Sequence, residues 1–380
     1  MGFVLFGITM AIFLTVCVWL QTNWGIPGLI LTELIIAGIA IVFCLIRKVK
    51  ISEVLPIKKI TLRDFAGCVV LLIGTYMLSI LTVFITAFIF PSSASEASEL
   101  SSFLYEKGLG LIPLLLIVAV LPGICEETLH RGALLSTFRG LDKEWPAIVF
   151  VGLFFSLNHV SVLRGPFTFI LGAVFAYIVI RKNNILLTMI MHCMLNSFSV
   201  VISYFAYKNG VVNTELSVDA SALGLYIGIF FLAPIIFVTG KMILMPETHK
   251  KKHFAIAGII SAVMLIGGII LMTAGSGKAL FTSNGPLNMA EGEVKSFGGI
   301  GIEEEKDYAI ALVVTGSNGN FRVEVTGEDD ELICGGNMDT SMMQIYNSTV
   351  HIDAGETITV KLISLDGDPG ENAQYSLIIK

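Results

Sequence analysis

The sequence predicts an all-α polytopic membrane bundle of about eight to nine helices, followed by a small C-terminal extracytoplasmic β-sandwich. Three observations carry that expectation. Of 380 residues, 54% are hydrophobic and 14% charged, against about 25% charged in ordinary soluble chains, and mean hydropathy is +0.82. Long apolar runs recur up to residue 274. Beyond it the texture changes to short alternating runs with polar turns and a strong acidic excess.

The apolar runs lie at about 2–20, 25–46, 65–91, 108–138, 146–162, 166–180, 185–206, 222–242 and 254–274. A crossing helix needs roughly 20 apolar residues, so 146–162 and 166–180 are short and open to being broken or tilted. The first basic side chain is Arg47 and no small-x-small cleavage pattern follows the first run. Residues 2–20 are therefore expected to stay as a membrane helix rather than leave as a signal peptide. Loops 47–64, 139–145, 181–184 and 241–253 hold 14 Lys and Arg, whereas 21–24, 92–107, 161–165 and 207–221 hold 3. Positive loops resist translocation, which predicts a cytoplasmic N-terminus and an extracytoplasmic C-terminus in a plasma membrane.

The predicted domains are 1–274 in the membrane (core 105–205) and 275–380 outside. The second carries 17 acidic and 6 basic residues. Runs such as "YAIALVV", "NFRVEV" and "ETITVKLISL" alternate with period two between turn-rich stretches, the pattern of an antiparallel β-sandwich. Its loops "GEDDE" (327–331) and "LDGDPGEN" (365–372) fit no defined calcium motif and read as solvated acidic surface. No partner for this domain is legible. Six cysteines form no CxxC; neither a disulfide framework nor a cysteine metal site is expected, and Cys334 is expected to be a buried free thiol.

Polar residues inside the apolar runs are expensive and point to function. In "EETLHR", Glu126 and His130 are one i,i+4 pair and Glu127 and Arg131 another; residues four apart share a helix face. Glu127 and Arg131 are expected to neutralise each other, leaving Glu126 uncommitted. "FFSLNH" sets Phe155 and His159 on one face, and "HCMLN" does so for His192 and Asn196. Counted at ~1.5 Å per residue from the cytoplasmic ends, Glu126 and Asn196 lie about 20 Å deep, His159 about 21 Å and His192 about 14 Å. Matching depth lets side chains from three helices converge. Glu33 has no partner pattern and reads as structural or lumen-facing.

The ordered trio EExxxR, FxxxH and HxxxN resembles the CPBP family of CAAX proteases and bacteriocin-processing enzymes (the Abi family), related to type II CAAX prenyl endopeptidases. The resemblance covers about residues 105–205 and implies an intramembrane endopeptidase acting on a membrane-associated or lipidated protein or peptide in the bilayer. His130 falls at a variable position of the motif.

Amide hydrolysis needs an activated water, a stabilised oxyanion and a proton for the leaving amine. Glu126 is the expected base, with His159 sharing the water; His192 and Asn196 are the expected oxyanion donors, supported by Glu127, Arg131 and Phe155. No cofactor is favoured. A zinc variant on Glu126, His159 and His192 stays open, since two His and a Glu match a catalytic zinc ligand count, but no HExxH helix is present and Glu126 would serve as both ligand and base. Cys125 and Cys193 flank motif residues and read as small core thiols. No nucleophile elbow, Walker A motif or dinucleotide fingerprint occurs, and no basic surface suits nucleic acid. Two non-proteolytic readings remain: a bacteriocin-immunity or scaffold protein that keeps the cluster for binding, and a proton-relaying transporter. Without eukaryotic targeting features, and with an outer β-domain, a bacterial source is expected.

Overall fold

The computed structural model describes residues 1–93, 108–208, 218–248, 250–275, 280–287, 289–315, 319–338, 343–366 and 373–380. Loops 92–107 and 207–221, used above for the charge bias, and most of 365–372 fall largely outside them. The chain divides into two compact units, Met1–Gly275 and Ser276–Lys380.

Among the described residues, eight helices of the first unit are long and apolar enough to cross a membrane. We name them in chain order with the one shorter apolar helix between them. They are α1 (Gly2–Trp24), α2 (Ile26–Arg47), α3 (Leu62–Ile89), α4 (Leu111–Leu134), α5 (Trp145–Leu157), α6 (Gly165–Lys182), α7 (Ile185–Lys208), α8 (Ala220–Leu244) and α9 (Lys251–Gly275). The protein is thus a multi-pass integral membrane protein. The short α5, at 13 residues, rises only about 20 Å. It returns as a hairpin through α6, where a Cβ on Gly172 would stand 2.9 Å from Gly152 Cα. That near-contact explains glycine at both positions. The open end of the hairpin is closed by an Arg181–Glu144 ion pair at 2.8 Å.

α4 is not a uniform α-helix. It is wound as π-helix over Leu115–Val120 and again over Thr128–Leu134, a distortion that recurs at functional sites. Pro122 lies between the two stretches. A proline has no N–H for the carbonyl four residues back, so Val118 O loses its α-helical donor. Asn196 Nδ2 of α7 donates to it at 3.1 Å. The apolar core around this segment includes Leu129, Ala133 and Leu134 of α4 with Val151 and Phe154 of α5 and Ile36 and Ala40 of α2.

The second unit consists of two four-stranded antiparallel sheets, in the orders β1-β8-β3-β6 and β2-β7-β4-β5. The strands are β1 (Phe281–Pro286), β2 (Val294–Gly301), β3 (Lys306–Thr315), β4 (Phe321–Thr326), β5 (Leu332–Asn337), β6 (Met343–Ile352), β7 (Thr357–Ser364) and β8 (Gln374–Ile379). Alternate residues point inward: Ile310, Leu312 and Val314 of β3 share one core with Ile358, Val360 and Leu362 of β7. Cys334 is free but only half-buried, and Tyr346 donates its hydroxyl to the sulfur at 3.4 Å. The expectation of a fully buried thiol is corrected to that extent. Its strand β5 lies at the edge of its sheet.

Candidate active site

The site grows from the second π-wound stretch of α4. Glu127 and Arg131 form an ion pair at 2.8 Å, and both side chains are fully buried. Glu127 Oε2 and Arg131 Nε have no hydrogen-bond partner among the described residues, so the pair depends on its other contacts. Here the guanidinium lies over two rings, 4.3 Å from the centre of Phe155 on α5 and 5.2 Å from that of Phe175 on α6. The negative faces of both rings complement the cation. Arg131 Nη2 also reaches Gly172 O at a long 3.5 Å. The phenylalanine of the FxxxH motif therefore covers the arginine of the EExxxR motif.

His192 of α7 joins the same carboxylate. Its Nδ1 donates to Glu127 Oε1 at 3.0 Å, while Nε2 stands 3.9 Å from Glu126 Oε2. A carboxylate only accepts, so the hydrogen sits on Nδ1 and Nε2 faces Glu126. α4 and α7 approach closely enough for this at Gly123, where a Cβ would lie 2.5 Å from Cys193 Sγ and 3.0 Å from its backbone nitrogen. Any larger residue there would push His192 away from the carboxylates.

Glu126 carries no such commitment. Its Oε2 is buried and has no hydrogen-bond partner among the described residues, and the side chain keeps 18% exposure. An orphaned buried carboxylate oxygen is a place where a water molecule can bind. His130 takes no part: its Nδ1 donates to the backbone carbonyl of Glu126 at 2.9 Å, and Asn158 Nδ2 donates to its Nε2 at 2.8 Å. Both ring nitrogens are spent, Nδ1 within α4 and Nε2 on tying α4 to the end of α5.

That end presents His159. Its Nδ1 donates to Phe155 O at 2.8 Å and its ring meets Phe155 edge-on at 4.8 Å between centres, leaving Nε2 as the free nitrogen. The next residue, Val160, adopts φ +44°. A β-branched residue there is strained by about 1–3 kcal/mol, so the turn that aims His159 is held against a local preference. Phe155 also meets His192 edge-on at 5.8 Å, so one ring touches both motif histidines.

The structure thus brings Glu126, Glu127, Arg131, Phe155 and His192 together, with His159 joined through Phe155. Asn196, one turn beyond His192, is bonded instead to the carbonyl that Pro122 leaves open. Sequence reasoning missed Phe175 and Asn158. Both sit in uninformative apolar or loop text.

A zinc ion would need ligand atoms drawn together. Among the described residues, the group of three whose ligand atoms all lie within 4.8 Å of one another is Glu305, His351 and Asp353 on the β-unit, all exposed. Glu126, His159 and His192 do not form such a group; the Nδ1–H of His192 is donated to Glu127 and that of His159 to Phe155 O, which leaves Nε2 of each ring uncommitted.

A buried ion pair, a carboxylate with an unpartnered oxygen and two imidazoles thus lie together in the membrane unit. Residues 108–198 match the family described as type II CAAX prenyl endopeptidase Rce1-like, so this segment is similar to the CPBP/CAAX proteases. No curated protein matches the chain. Similar solved structures include the C-terminal CBM6 of LamC, a marine laminarinase from Zobellia galactanivorans. It is 17% identical, with 27% of this chain and 91% of that chain covered, at a TM-score of 0.20. A family GH115 4-O-methyl-alpha-glucuronidase, BtGH115A, with specificity for decorated arabinogalactans, is 9% identical. It covers 67% of this chain and 48% of its own, also at 0.20. Scores that low carry no argument about fold or function.

Proposed function

We propose that the protein is an intramembrane endopeptidase that hydrolyses a peptide bond of a membrane-associated or lipidated protein, with Glu126 as the base. The observation that carries this reading is the division of labour between adjacent carboxylates. Each glutamate keeps a buried Oε2 without a hydrogen-bond partner among the described residues, but Glu127 is held through Oε1 by Arg131 and His192, whereas the nearest cationic nitrogen to Glu126 is His192 Nε2 at 3.9 Å. Glu126 takes a proton from water as the oxygen attacks the carbonyl carbon. The tetrahedral oxyanion then collapses with C–N cleavage, and Glu126 returns the proton to the leaving nitrogen. His159, through its free Nε2, shares the water.

His192 and Asn196 are the proposed oxyanion donors, a contribution of about 3–4 kcal/mol for one such donor. For His192 this requires the doubly protonated ring, because the hydrogen on Nδ1 is committed to Glu127. For Asn196 it requires the second N–H of the amide, the first being committed to Val118 O. The reaction is proposed to be metal-independent: thorough chelation of the purified protein leaves cleavage intact, and activity lost to chelator and restored by zinc overturns this part.

The proposed topology is N-terminus cytoplasmic and β-unit extracytoplasmic. The Arg181–Glu144 pair supports it, because it sets both ends of the α5–α6 hairpin on one side and preserves the parity of the remaining helices. The experiment that tests the function compares new protein N-termini in membranes of cells carrying wild type or Glu126→Ala. Peptides that accumulate only with wild type are products; identical profiles with both proteins overturn the reading.

A further inference from the structure

His130 and Asn158 bridge the two residues to which the water is assigned above, Glu126 and His159. Asn158 immediately precedes His159 in the chain. The hydrogen-bond partners fix this bridge atom by atom. A backbone carbonyl only accepts, so the hydrogen that His130 shares with Glu126 O at 2.9 Å sits on Nδ1. Its Nε2 is then a lone pair, and the Asn158 amide must turn its Nδ2 toward it, at 2.8 Å. The amide keeps that orientation although its Oδ1 is left buried without a hydrogen-bond partner among the described residues. Both side chains are buried, His130 at 1% exposure and Asn158 at 8%, so bulk water does not compete for the bond.

A second contact acts on the same histidine. The His130 ring meets Phe155 edge-on at 5.1 Å between centres, and Phe155 O accepts the Nδ1–H of His159 at 2.8 Å. His130 therefore holds both residues that orient His159: its covalent neighbour, Asn158, and its hydrogen-bond acceptor, Phe155. The turn needs such support, because Val160 sits at φ +44°, a region that a β-branched residue rarely occupies.

We propose that His130 and Asn158 are positioning residues, forming a strut that starts at the backbone of Glu126 and sets His159 relative to it. This rests on the protease reading above and adds two residues to it. With both ring nitrogens engaged, His130 exchanges no proton with water or substrate. Its contribution is the placement of His159 Nε2.

The test uses full-length protein in detergent and a substrate first identified by its dependence on Glu126. His130→Phe keeps an aromatic ring and removes both nitrogens; Asn158→Leu keeps the shape of the amide and removes its donor. Misplacing a reacting group costs up to about 100-fold in rate, so each variant is expected to lower kcat about 10- to 100-fold with KM little changed. The double variant is expected to be no slower than the slower single one, since both substitutions remove the same bond. A kcat within twofold of wild type for either variant overturns the proposal, as do losses that multiply in the double variant. A second arm needs no substrate and begins with no substitution. Nitrogen NMR of ring-labelled histidine is expected to show His130 and His159 of the wild type each as the single Nδ1–H tautomer; a His130 with its hydrogen on Nε2 overturns the strut. In His130→Phe the His159 ring is expected to leave that single tautomer as its bond to Phe155 O loosens. A merely structural His130 would lower the melting temperature and leave the His159 signal unchanged, and that result overturns the proposal too. If no Glu126-dependent substrate is found, the protease reading fails by itself, while this arm still decides whether His130 holds His159.

Discussion

His192 Nδ1 stands 3.0 Å from Glu127 Oε1, the same oxygen that Arg131 Nη1 approaches at 2.8 Å. One oxygen thus gathers an imidazole from α7 and a guanidinium from its own helix, and the paired glutamates of the EExxxR motif acquire different duties. Glu127 is an anchor around which the histidine is oriented. Glu126, one residue earlier, stands 3.9 Å from the other nitrogen of the same ring, and its buried Oε2 has no hydrogen-bond partner among the described residues.

Removal of the anchor is expected to be severe. Glu127→Ala strands Arg131 as a buried unpaired cation, which costs about 3–5 kcal/mol when one partner of a buried pair is deleted. The double variant Glu127→Ala/Arg131→Met, with no charge left to strand, is expected to be more stable than Glu127→Ala alone. Thermal unfolding of the three proteins in detergent checks this; equal or lower stability of the double variant would show that the stranded cation is not what destabilises Glu127→Ala.

The contact between Asn196 and Val118 makes a different demand. Asn196→Ala leaves a buried carbonyl without a donor, a loss of about 1–3 kcal/mol. The carbonyl is open because of Pro122, so in a Pro122→Ala background, where an N–H is restored, Asn196→Ala is expected to cost clearly less. A melting-temperature cycle over the four proteins measures the coupling. Its absence would mean that Asn196 is not the group that repairs the proline break, and would leave its amide wholly available to the site.

Much of this arrangement was readable from spacing. The i,i+4 rule located the Glu127–Arg131 pair and separated Glu126 from it, and matching depths brought the three motif helices to one level. The alternating runs after residue 275 produced the two sheets. What spacing could not show is which carboxylate His192 would choose, because that depends on how closely α4 and α7 approach at Gly123. Nor could it show that Phe155 and Phe175 enclose Arg131, since an apolar phenylalanine reads the same whether it faces lipid or a guanidinium. The π winding of α4 left no mark beyond Pro122.

The β-unit supplies a pH-dependent contact on an exposed face. Asp307 and His351 are directly paired across β3 and β6, and His351 Nδ1 meets Asp307 Oδ1 at 2.8 Å with Glu305 at 3.7 Å from Nε2. The hydrogen bond to Asp307, with its charge and that of Glu305, raises the His351 pKa above its ordinary value. A raised pKa in the folded state means that the contribution to stability is complete below the unfolded value, about 6.5. It is lost as pH rises through the folded value. NMR of ring-labelled histidine is expected to show His351 titrating above that reference, and Asp307→Asn to bring it back down. A wild-type titration at or below the reference would remove the ion pair.

The short helix α5 makes the topology testable at one decisive point. Thirteen residues do not cover a hydrocarbon core of roughly 30 Å, so a count that takes α6 as a span and leaves α5 out would change the side on which the chain leaves the membrane. The Arg181–Glu144 pair at 2.8 Å brings the chain back to the side it started from, whatever depth the hairpin turn at His159 reaches. With that hairpin neutral, the proposed topology puts the basic loops at 47–64 and 241–253 on one side and the acidic β-unit on the other. A C-terminal alkaline phosphatase fusion is therefore expected to be active, and a C-terminal green fluorescent protein fusion dark. Fusions truncated after Lys59 are expected to give the reverse. A fluorescent full-length fusion would place the β-unit in the cytoplasm and would mean that the α5–α6 hairpin, or one of the flanking helices, is not disposed as the loop charges require.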